Sequence, residues 1–232
     1  MDELRLAVRL AIALERVVAK HDLDAVAVDA FPEFAYRVHQ LPHIGADRLM
    51  DQGVVVACEG DLTAMVGGLY MRDLSGEVPH FWEHLMFDTD RNWILGGHDG
   101  GSAGFGLAAD PKNITLRSMM YMGYKNAPPA PPLGVAPQFI CRPGRVTWLN
   151  LFRDRDGYVM RMAKGESVDT TTRPVHHEHL IFKPDVPLET YFRRMMRYGV
   201  DHHFVVGYGD RVEDLKRLAE LTNISYKNLT EL

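Results

Sequence analysis

The sequence predicts an α+β protein: a partial α/β layer at the N-terminus, followed by an antiparallel β-barrel-like domain with C-terminal helices. Two observations predict this class. Helix-like and strand-like segments alternate in the first part of the chain, which is typical of parallel strands joined by helices. Farther along, short strand-like runs follow one another between turn residues, as in an antiparallel sheet. We expect a partial α/β domain at residues 1–90 and a β-rich C-terminal domain at residues 91–232.

The α/β part begins with a helix predicted over residues 2–21. Its apolar side chains recur at a helical spacing at Leu4, Val8, Ala11, Leu14 and Val18. The β-branched run Asp24–Asp29 has the length of a buried strand, and Val54–Cys58 is a second run of this kind. A polar, helix-like stretch around Gly45–Asp51 lies between them, and a further helix is expected over Leu62–Met71. This alternation predicts two parallel strands.

The second part contains six strand-like runs separated by turn residues. They are His80–Asp88, Trp93–Gly97, Ile114–Met119, Arg145–Phe152, Tyr158–Lys164 and His177–Phe182. The sequence Asp154-Arg-Asp-Gly157 predicts a hairpin turn between the fourth and fifth runs. The proline-rich segment 127–132 is expected to be a rigid, extended surface crossing. The C-terminal elements alternate between helix and strand: Leu188–Tyr198, His203–Gly207, Val212–Leu221 and Ile224–Tyr226.

The composition excludes some classes of function. The 26 Lys and Arg residues are outnumbered by 31 Asp and Glu residues, which gives a net charge of −5. No overall basic field attracts nucleic acid or an anionic membrane surface. Two cysteines, Cys58 and Cys141, cannot form a disulfide framework, and this favours a cytoplasmic location. Charges interrupt the apolar pattern of the first twenty residues, so we expect neither a signal peptide nor a membrane span there.

Glu59 lies in the segment Ala57-Cys-Glu-Gly-Asp61, between a predicted strand and a predicted helix. Ligands of parallel α/β layers bind beyond the carboxyl ends of the strands, and Glu59 occupies such an end. Asp61 has the position of a helix N-cap. The alternative is that both carboxylates only complement the positive end of the helix dipole.

Glu83 is a second carboxylate in an unusual place, within the apolar run His80–Phe87. Strand alternation puts Glu83 on one face with Phe81 and Leu85. A glutamate among such neighbours either faces solvent or is held inside by a partner or a metal. On the other face, His84 is expected at the surface or behind the site.

Histidines supply further candidate ligands. His98 lies in a glycine-rich loop after a predicted strand, where the alternative is a plain glycine turn. The pair His202-His203 precedes another predicted strand, which is compatible with metal binding through neutral imidazole. The segment His176-His-Glu-His179 either binds a metal or forms a solvated strand. No HExxH, CxxC or GxSxG motif is present, which disfavours zincin, zinc-ribbon and α/β-hydrolase sites.

Four segments in this order and spacing resemble the C-terminal half of the L-fucose/L-arabinose isomerase superfamily. They are Ala57-Cys-Glu-Gly-Asp61, Glu83 in its aromatic strand, Gly97-His-Asp-Gly100, and the run from Asp201 to Asp210. The resemblance extends over roughly the whole chain. It implies the end of the family's second α/β domain joined to its C-terminal β-rich domain, with the first domain missing.

The resemblance also implies the roles of particular residues. Glu59 and Glu83 would be the two carboxylates that bind a divalent metal, usually Mn²⁺, and exchange protons with the sugar. His203 would be the metal-binding histidine, with His202 as the alternative, and His98 matches a ligand of the arabinose isomerases. Aldose–ketose isomerisation through an enediol needs a proton moved between neighbouring carbons, and a hard divalent ion can hold the sugar oxygens meanwhile.

We therefore expect a metal-dependent aldose–ketose isomerase that acts on a small sugar or sugar derivative. The alternatives are a non-catalytic carbohydrate-binding remnant, a subunit of a split isomerase, and a metal-dependent lyase or epimerase on the same scaffold. The missing first domain predicts a homo-oligomer or a partner chain that supplies it. No nucleic acid and no membrane is expected as a partner.

Overall fold

The structure is a computed structural model, and it describes residues 2–34, 37–119 and 134–231. In these ranges five α-helices accompany one large mixed sheet and two separate strand pairs, which confirms the predicted α+β class. The helices are α1 (Asp2–His21), α2 (His43–Asp51), α3 (Leu62–Ser75), α4 (Leu188–Tyr198) and α5 (Val212–Leu221). None of these helices combines the length and apolarity that crossing a bilayer requires.

Eleven strands are defined within the same ranges. The first six are β1 (Ala25–Val28), β2 (Val55–Cys58), β3 (His80–Asp88), β4 (Trp93–Gly97), β5 (Thr115–Ser118) and β6 (Val135–Gln138). The others are β7 (Gly144–Asp154), β8 (Gly157–Ser167), β9 (His179–Pro184), β10 (Phe204–Tyr208) and β11 (Ser225–Asn228). Every strand that the sequence predicts has a counterpart among them.

The N-terminal layer contains the predicted parallel pair, in which Ala25 of β1 is opposite Val55 of β2. Helix α1 packs on α2 through small residues. A Cβ atom added to Gly45 of α2 would lie 2.8 Å from Leu14 Cδ1 and 3.0 Å from Ala11 Cα. This close approach of the two helices therefore depends on the glycine.

Helix α3 connects the N-terminal layer to the large sheet, and Asp61 is its N-cap as predicted. Gly68 faces Val55, where an added Cβ would lie 2.5 Å from Val55 Cγ1. The neighbouring Gly67 faces Leu149 of β7 and Val205 of β10 at ordinary contact distances. Two adjacent glycines thus let one helix lie against both sheets.

The large sheet has the order β11-β8-β7-β10-β3-β4-β9, and β9 also pairs with β8. The hairpin of β7 and β8 turns at Asp154–Gly157, as predicted. One hydrophobic cluster fills the space under α3, and a second, rich in aromatic rings, lies on the other side of β3 and β10. The barrel-like shape of the second part and the domain boundary near residue 90 stay predictions.

Two details of the prediction needed correction. Strand β6 was not predicted, because Pro137 lies inside it and proline within a sheet is largely confined to edge strands. In the part of the chain that the structure describes, β5 is the one strand that pairs with β6. Strand β9 begins at His179 rather than at His177, because residues 175–177 form a bend and the buried Glu178 connects this bend to the strand. The proline-rich segment 127–132 lies outside the described residues.

Candidate metal centre

Glu59 occupies a sharp turn between β2 and α3. Its φ angle is +58° and that of Gly60 is +67°, so two consecutive residues have left-handed backbone. This conformation is strained for a residue with a Cβ atom, and such strain concentrates at functional sites. The turn directs the chain away from the strand end and leaves the Glu59 carboxylate at the wall of a cavity.

Glu83 reaches the same cavity from β3. Its face of the strand also carries Phe81, whose ring centroid lies 4.5 Å from that of His98 and 4.9 Å from that of His203. The predicted alternation of Phe81 and Glu83 therefore holds. A register shift between His84 and Met86 interrupts it, so the alternation does not extend to Leu85.

His84 points to the opposite side of β3 and does not join the site. Its Nε2 atom lies 3.0 Å from the hydroxyl of Tyr191, and its ring packs edge-on against Phe204 at 4.6 Å. The predicted alternation therefore holds for His84, which lies behind Glu83, half-buried in the aromatic cluster on the other face of the strand.

His98 and His203 meet although one follows β4 and the other precedes β10. Both side chains are buried, and their Nε2 atoms are 3.2 Å apart. The Nε2 atom of His203 also lies 3.5 Å from Oε2 of Glu59. Strand β3 is hydrogen-bonded to both β4 and β10, and this pairing brings the two strand ends to one place.

Two overlapping groups of side chains have ligand atoms within 4.8 Å of one another. The first is Glu59, His98 and His203, and the second is Glu83, His202 and His203. The structure thus places Glu59, Glu83, His98 and His203, with the alternative ligand His202, in two groups that share His203. Three of these residues, Glu59, Glu83 and His98, line a cavity of about 180 Å³ together with Phe31, Leu41 and Asp99.

Asp61 has a second role that sequence reasoning missed. Its Oδ1 atom accepts hydrogen bonds from Ala64 N and Thr63 Oγ1, both at 2.8 Å, which caps α3. Its Oδ2 atom lies 2.9 Å from Nδ1 of His203. The carboxylate therefore holds a proton on Nδ1 and turns Nε2 toward Glu59. The spacing of an N-cap gives no sign of this contact.

The charges of the cluster shift its pKa values strongly. Burial opposes the protonated form of His203, but hydrogen bonds to Asp61 and Glu59 raise its pKa to about 9. Burial alone would raise the pKa of Asp61, yet hydrogen bonds from His203 and from Ala64 N lower it to about 2. Burial raises the pKa of Glu83 to about 7 and lowers that of His98 well below its usual value.

The turn before β10 is held by hydrogen bonds of its own. Asn150 of β7 donates from Nδ2 to Oδ1 of Asp201 at 2.5 Å and to the carbonyl of His203 at 2.8 Å. Oδ1 of Asp201 also accepts from the backbone N–H of His203 at 3.2 Å. The His203 backbone is therefore fixed on one side by Asn150, while its ring is fixed on the other by Asp61.

The segment His176–His179 does not form a solvated strand. His177, Glu178 and His179 are buried, and the Nε2 atom of His177 lies 3.3 Å from Oδ1 of Asp99 in the cavity wall. The alternative of a metal site within this segment gains no support either. Among the described residues, the two potential metal groups both lie around His203.

The donor set fits a divalent ion such as Mn²⁺. Carboxylate oxygens suit hard cations, and imidazole suits the transition metals, so a mixed oxygen and nitrogen set favours Mn²⁺ over a soft ion. Metal-ligating histidines commonly donate their second ring N–H to a carboxylate, as His203 does to Asp61. The neighbouring Cys58 is buried, and its Sγ lies 3.4 Å from the carbonyl of Gly101, outside both groups.

Comparison with known proteins gives a small set of relatives. No model of a protein family matches the chain. Two curated proteins named sulfoquinovose isomerase, from Priestia aryabhattai and Priestia megaterium, are each 25% identical over 219 residues. A third of this name, from Alkalicoccus urumqiensis, is 21% identical over 213 residues. The matches cover 91–92% of this chain and 46% of each relative. The chain therefore spans about half the length of the curated relatives it matches.

Proposed function

We propose that this chain carries the metal-binding half of an aldose–ketose isomerase that acts on a sugar or sugar derivative. The observation that carries the proposal is the convergence of Glu59, His98 and His203, with Glu83 across the same cavity. The relatives named sulfoquinovose isomerase support the reaction class. The finer assignment to the L-fucose/L-arabinose isomerase superfamily rests on the resemblance of the four sequence segments.

In this proposal Glu59, His98 and His203 hold the metal, and Glu83 completes the set from the opposite wall. A divalent ion such as Mn²⁺, when bound, supplies Lewis acidity and fixes the positions of neighbouring sugar oxygens. Asp61 keeps the Nε2 atom of His203 directed at the ion. Phe81 packs against both imidazole rings and limits the space that they can occupy.

Glu59 and Glu83 are the groups that exchange protons with the sugar. A general base works best when its pKa is near the operating pH, and burial raises the pKa of Glu83 to about 7. Hydrogen bonding to His203 lowers the pKa of Glu59, so this carboxylate stays ionised. A pair of carboxylates, one with a raised pKa and one with a lowered pKa, is typical of a site that contains both a general acid and a general base.

Metal titration tests the proposal first. We expect the purified protein to bind about one Mn²⁺ per chain, and Glu59→Ala or His203→Ala to weaken that binding at least tenfold. Glu189→Ala, at an exposed carboxylate of α4, is the matched control and should bind as the wild type does. Wild-type affinity in both site variants would contradict the proposed ligand set.

A sugar panel then tests the reaction. Pentoses, 6-deoxyhexoses and sulfoquinovose, each incubated with protein and Mn²⁺, should be assayed for ketose formation. Activity that chelation abolishes and Mn²⁺ restores supports the isomerase. Mn²⁺ binding with sugar binding but no ketose from any sugar would support the non-catalytic carbohydrate-binding alternative.

The second candidate, which follows from the resemblance of the four sequence segments, is a subunit of a split isomerase. In that case a partner polypeptide, or a second copy of this chain, completes the sugar pocket. We expect turnover to appear only when the partner is added, while Mn²⁺ binding by this chain stays unchanged. A cytoplasmic location and a homo-oligomeric state remain part of the proposal.

A further inference from the structure

Behind the cavity lies a second cluster of ionisable groups that the proposed reaction does not use. Glu178, His43 and Asp47 are fully buried, in contact with the loop that carries His98. A buried carboxylate is stable only when hydrogen bonds or charges compensate for the lost water. The hydrogen-bond partners of Glu178 therefore show which part of the loop the carboxylate fixes.

Glu178 holds one end of this loop. Its Oε1 atom accepts hydrogen bonds from the backbone N–H of Ser102 at 2.6 Å and from the Ser102 hydroxyl at 2.9 Å. The hydroxyl oxygen of Ser102 lies 3.0 Å from Nε2 of His80, which places His80 as the donor of that bond. Ser102 is thus fixed by both its backbone and its side chain.

His43 holds the middle of the loop. The backbone N–H of Gly100 donates to Nε2 of His43 at 3.0 Å, so the ring proton of neutral His43 is on Nδ1. This Nδ1 lies 3.6 Å from Oε1 of Glu178. The same carboxylate oxygen therefore holds Ser102 directly and lies next to the imidazole ring that holds Gly100.

The loop is also packed closely against its neighbours at Gly100 and Gly101. Gly100 and Gly101 have φ angles of +129° and +98°. A Cβ atom on Gly100 would lie 2.8 Å from Cys58 Sγ, and one on Gly101 would lie 2.5 Å from Ala46 Cβ. The loop is thus packed between Cys58 of β2 and Ala46 of α2.

We propose that Glu178 and His43 are positioning residues that set where His98 and Asp99 enter the metal site. They contact the loop two to four residues after His98, and His177, next to Glu178, lies 3.3 Å from Asp99. Both side chains are fully buried, so they act through the loop and do not touch the sugar. The inference rests on the proposed metal site.

Metal affinity and histidine NMR spectra test the proposal together. His43→Leu removes the acceptor for Gly100, whereas His43→Gln keeps an amide oxygen near the position of Nε2. We expect His43→Leu and Glu178→Leu, which remove the acceptors of the loop, to weaken Mn²⁺ binding about tenfold or more, and His43→Gln to stay within about threefold of the wild type. Free Mn²⁺ is measured by EPR.

A control separates positioning from general destabilisation. Thr147→Val removes two partly buried hydrogen bonds: one from Thr147 Oγ1 to the Gly209 carbonyl and one from Arg211 N to Thr147 Oγ1. Neither involves the loop. This variant should lower the unfolding midpoint without changing Mn²⁺ affinity. Equal loss of affinity in Thr147→Val and His43→Leu would overturn the proposal. Ser102→Ala is the variant to use if the His43 and Glu178 variants fail to fold, because it removes only the hydrogen bonds of the hydroxyl group. It should weaken Mn²⁺ binding about threefold or more. Wild-type affinity in Ser102→Ala would overturn the proposal.

NMR spectra of the metal-free protein test the positioning role of His43 separately from metal binding. In ¹⁵N-histidine spectra of the metal-free protein, His43 should show the Nδ1–H tautomer, and the His98 and His203 signals should shift in His43→Leu. Unchanged His98 and His203 signals in folded His43→Leu would overturn the positioning role. If the wild type binds no Mn²⁺ but these signals shift, the proposed metal function fails while the positioning role stands.

Discussion

The Nδ1 atom of His203 lies 2.9 Å from Oδ2 of Asp61, although 142 positions separate the two residues along the chain. Asp61 begins α3 and His203 precedes β10, so this contact joins the N-terminal layer to the large sheet at the edge of the cavity. Asp61 thereby both caps a helix and orients a candidate ligand. These two roles can be separated by substitution.

Asp61→Ser should separate capping from orientation. Serine is a good N-cap, so Asp61→Ser should lose only the ion pair with His203, whereas Asp61→Ala should be less stable than Asp61→Ser by about 1 kcal/mol. The short serine side chain cannot reach His203, so Mn²⁺ affinity should fall about 10- to 100-fold. Urea unfolding and Mn²⁺ titration measure the two effects. Asp61→Ala should lose both functions, and an Asp61→Ser protein with wild-type affinity would contradict the orienting role.

Proton release should accompany metal binding. His203, with a folded pKa of about 9, is protonated at pH 7 in the metal-free protein, and a metal must displace the proton on Nε2. Mn²⁺ affinity should therefore rise with pH between 7 and 9. Calorimetry in buffers of different ionisation enthalpy measures the protons released. Binding enthalpies that do not depend on the buffer would contradict a protonated His203.

The stability of the metal-free protein should have the opposite pH dependence. The folded pKa of His203, about 9, lies above the ordinary value of about 6.5. Its ion pairs with Asp61 and Glu59 therefore stabilise the fold fully below pH 6.5, and this contribution is lost as the pH rises toward 9. Urea midpoints across this range measure it. His203→Gln, which does not titrate, should have a flatter profile than the wild type.

Substitutions of Glu83 test its part in proton transfer. Glu83→Gln preserves the shape of the side chain but cannot take a proton, so ketose formation should fall about 10²- to 10⁴-fold. Glu83→Asp keeps the carboxylate one methylene farther away and should retain more activity than Glu83→Gln. Rates under saturating Mn²⁺ separate this effect from metal loss. Equal rates in Glu83→Gln and the wild type would exclude Glu83 as the base or acid.

Two adjacent glycines of α3 test how the helix fits between the sheets. An alanine Cβ at position 68 would lie 2.5 Å from Val55 Cγ1, so Gly68→Ala should destabilise the protein by about 1–3 kcal/mol. At Gly67 the nearest atoms are 3.6 Å away, so Gly67→Ala should be neutral or stabilise by up to about 1 kcal/mol. Denaturant unfolding of both variants gives the comparison. A Gly67→Ala protein that is less stable than Gly68→Ala would contradict this packing of α3 against the two sheets.

Local patterns in the sequence predicted most of the elements. The predicted bounds of α1, α4 and α5 agree with the structure, because helical periodicity is a property of neighbouring residues. Strands β3 and β4 also have their predicted bounds. Strand β6 was missed because Pro137 is unfavourable in a strand, and only its pairing with β5 shows that this is an edge.

Long-range partners explain what the sequence could not predict. Glu178 looks like a residue of a solvated strand, yet its hydrogen-bond partner Ser102 lies 76 positions away and makes its burial possible. The second contact of Asp61 depends on His203 in the same way. The meeting of Glu59, Glu83, His98 and His203 was expected from a family resemblance, because no local pattern connects them.

The most direct test of the central claim is a crystal structure of the protein grown with Mn²⁺ and measured at a wavelength where manganese scatters anomalously. We expect one strong anomalous peak, in contact with carboxylate oxygens of Glu59 and Glu83 and with Nε2 of His203 and His98. A peak away from these side chains, or none in crystals saturated with Mn²⁺, would contradict the metal centre and the isomerase function that depends on it.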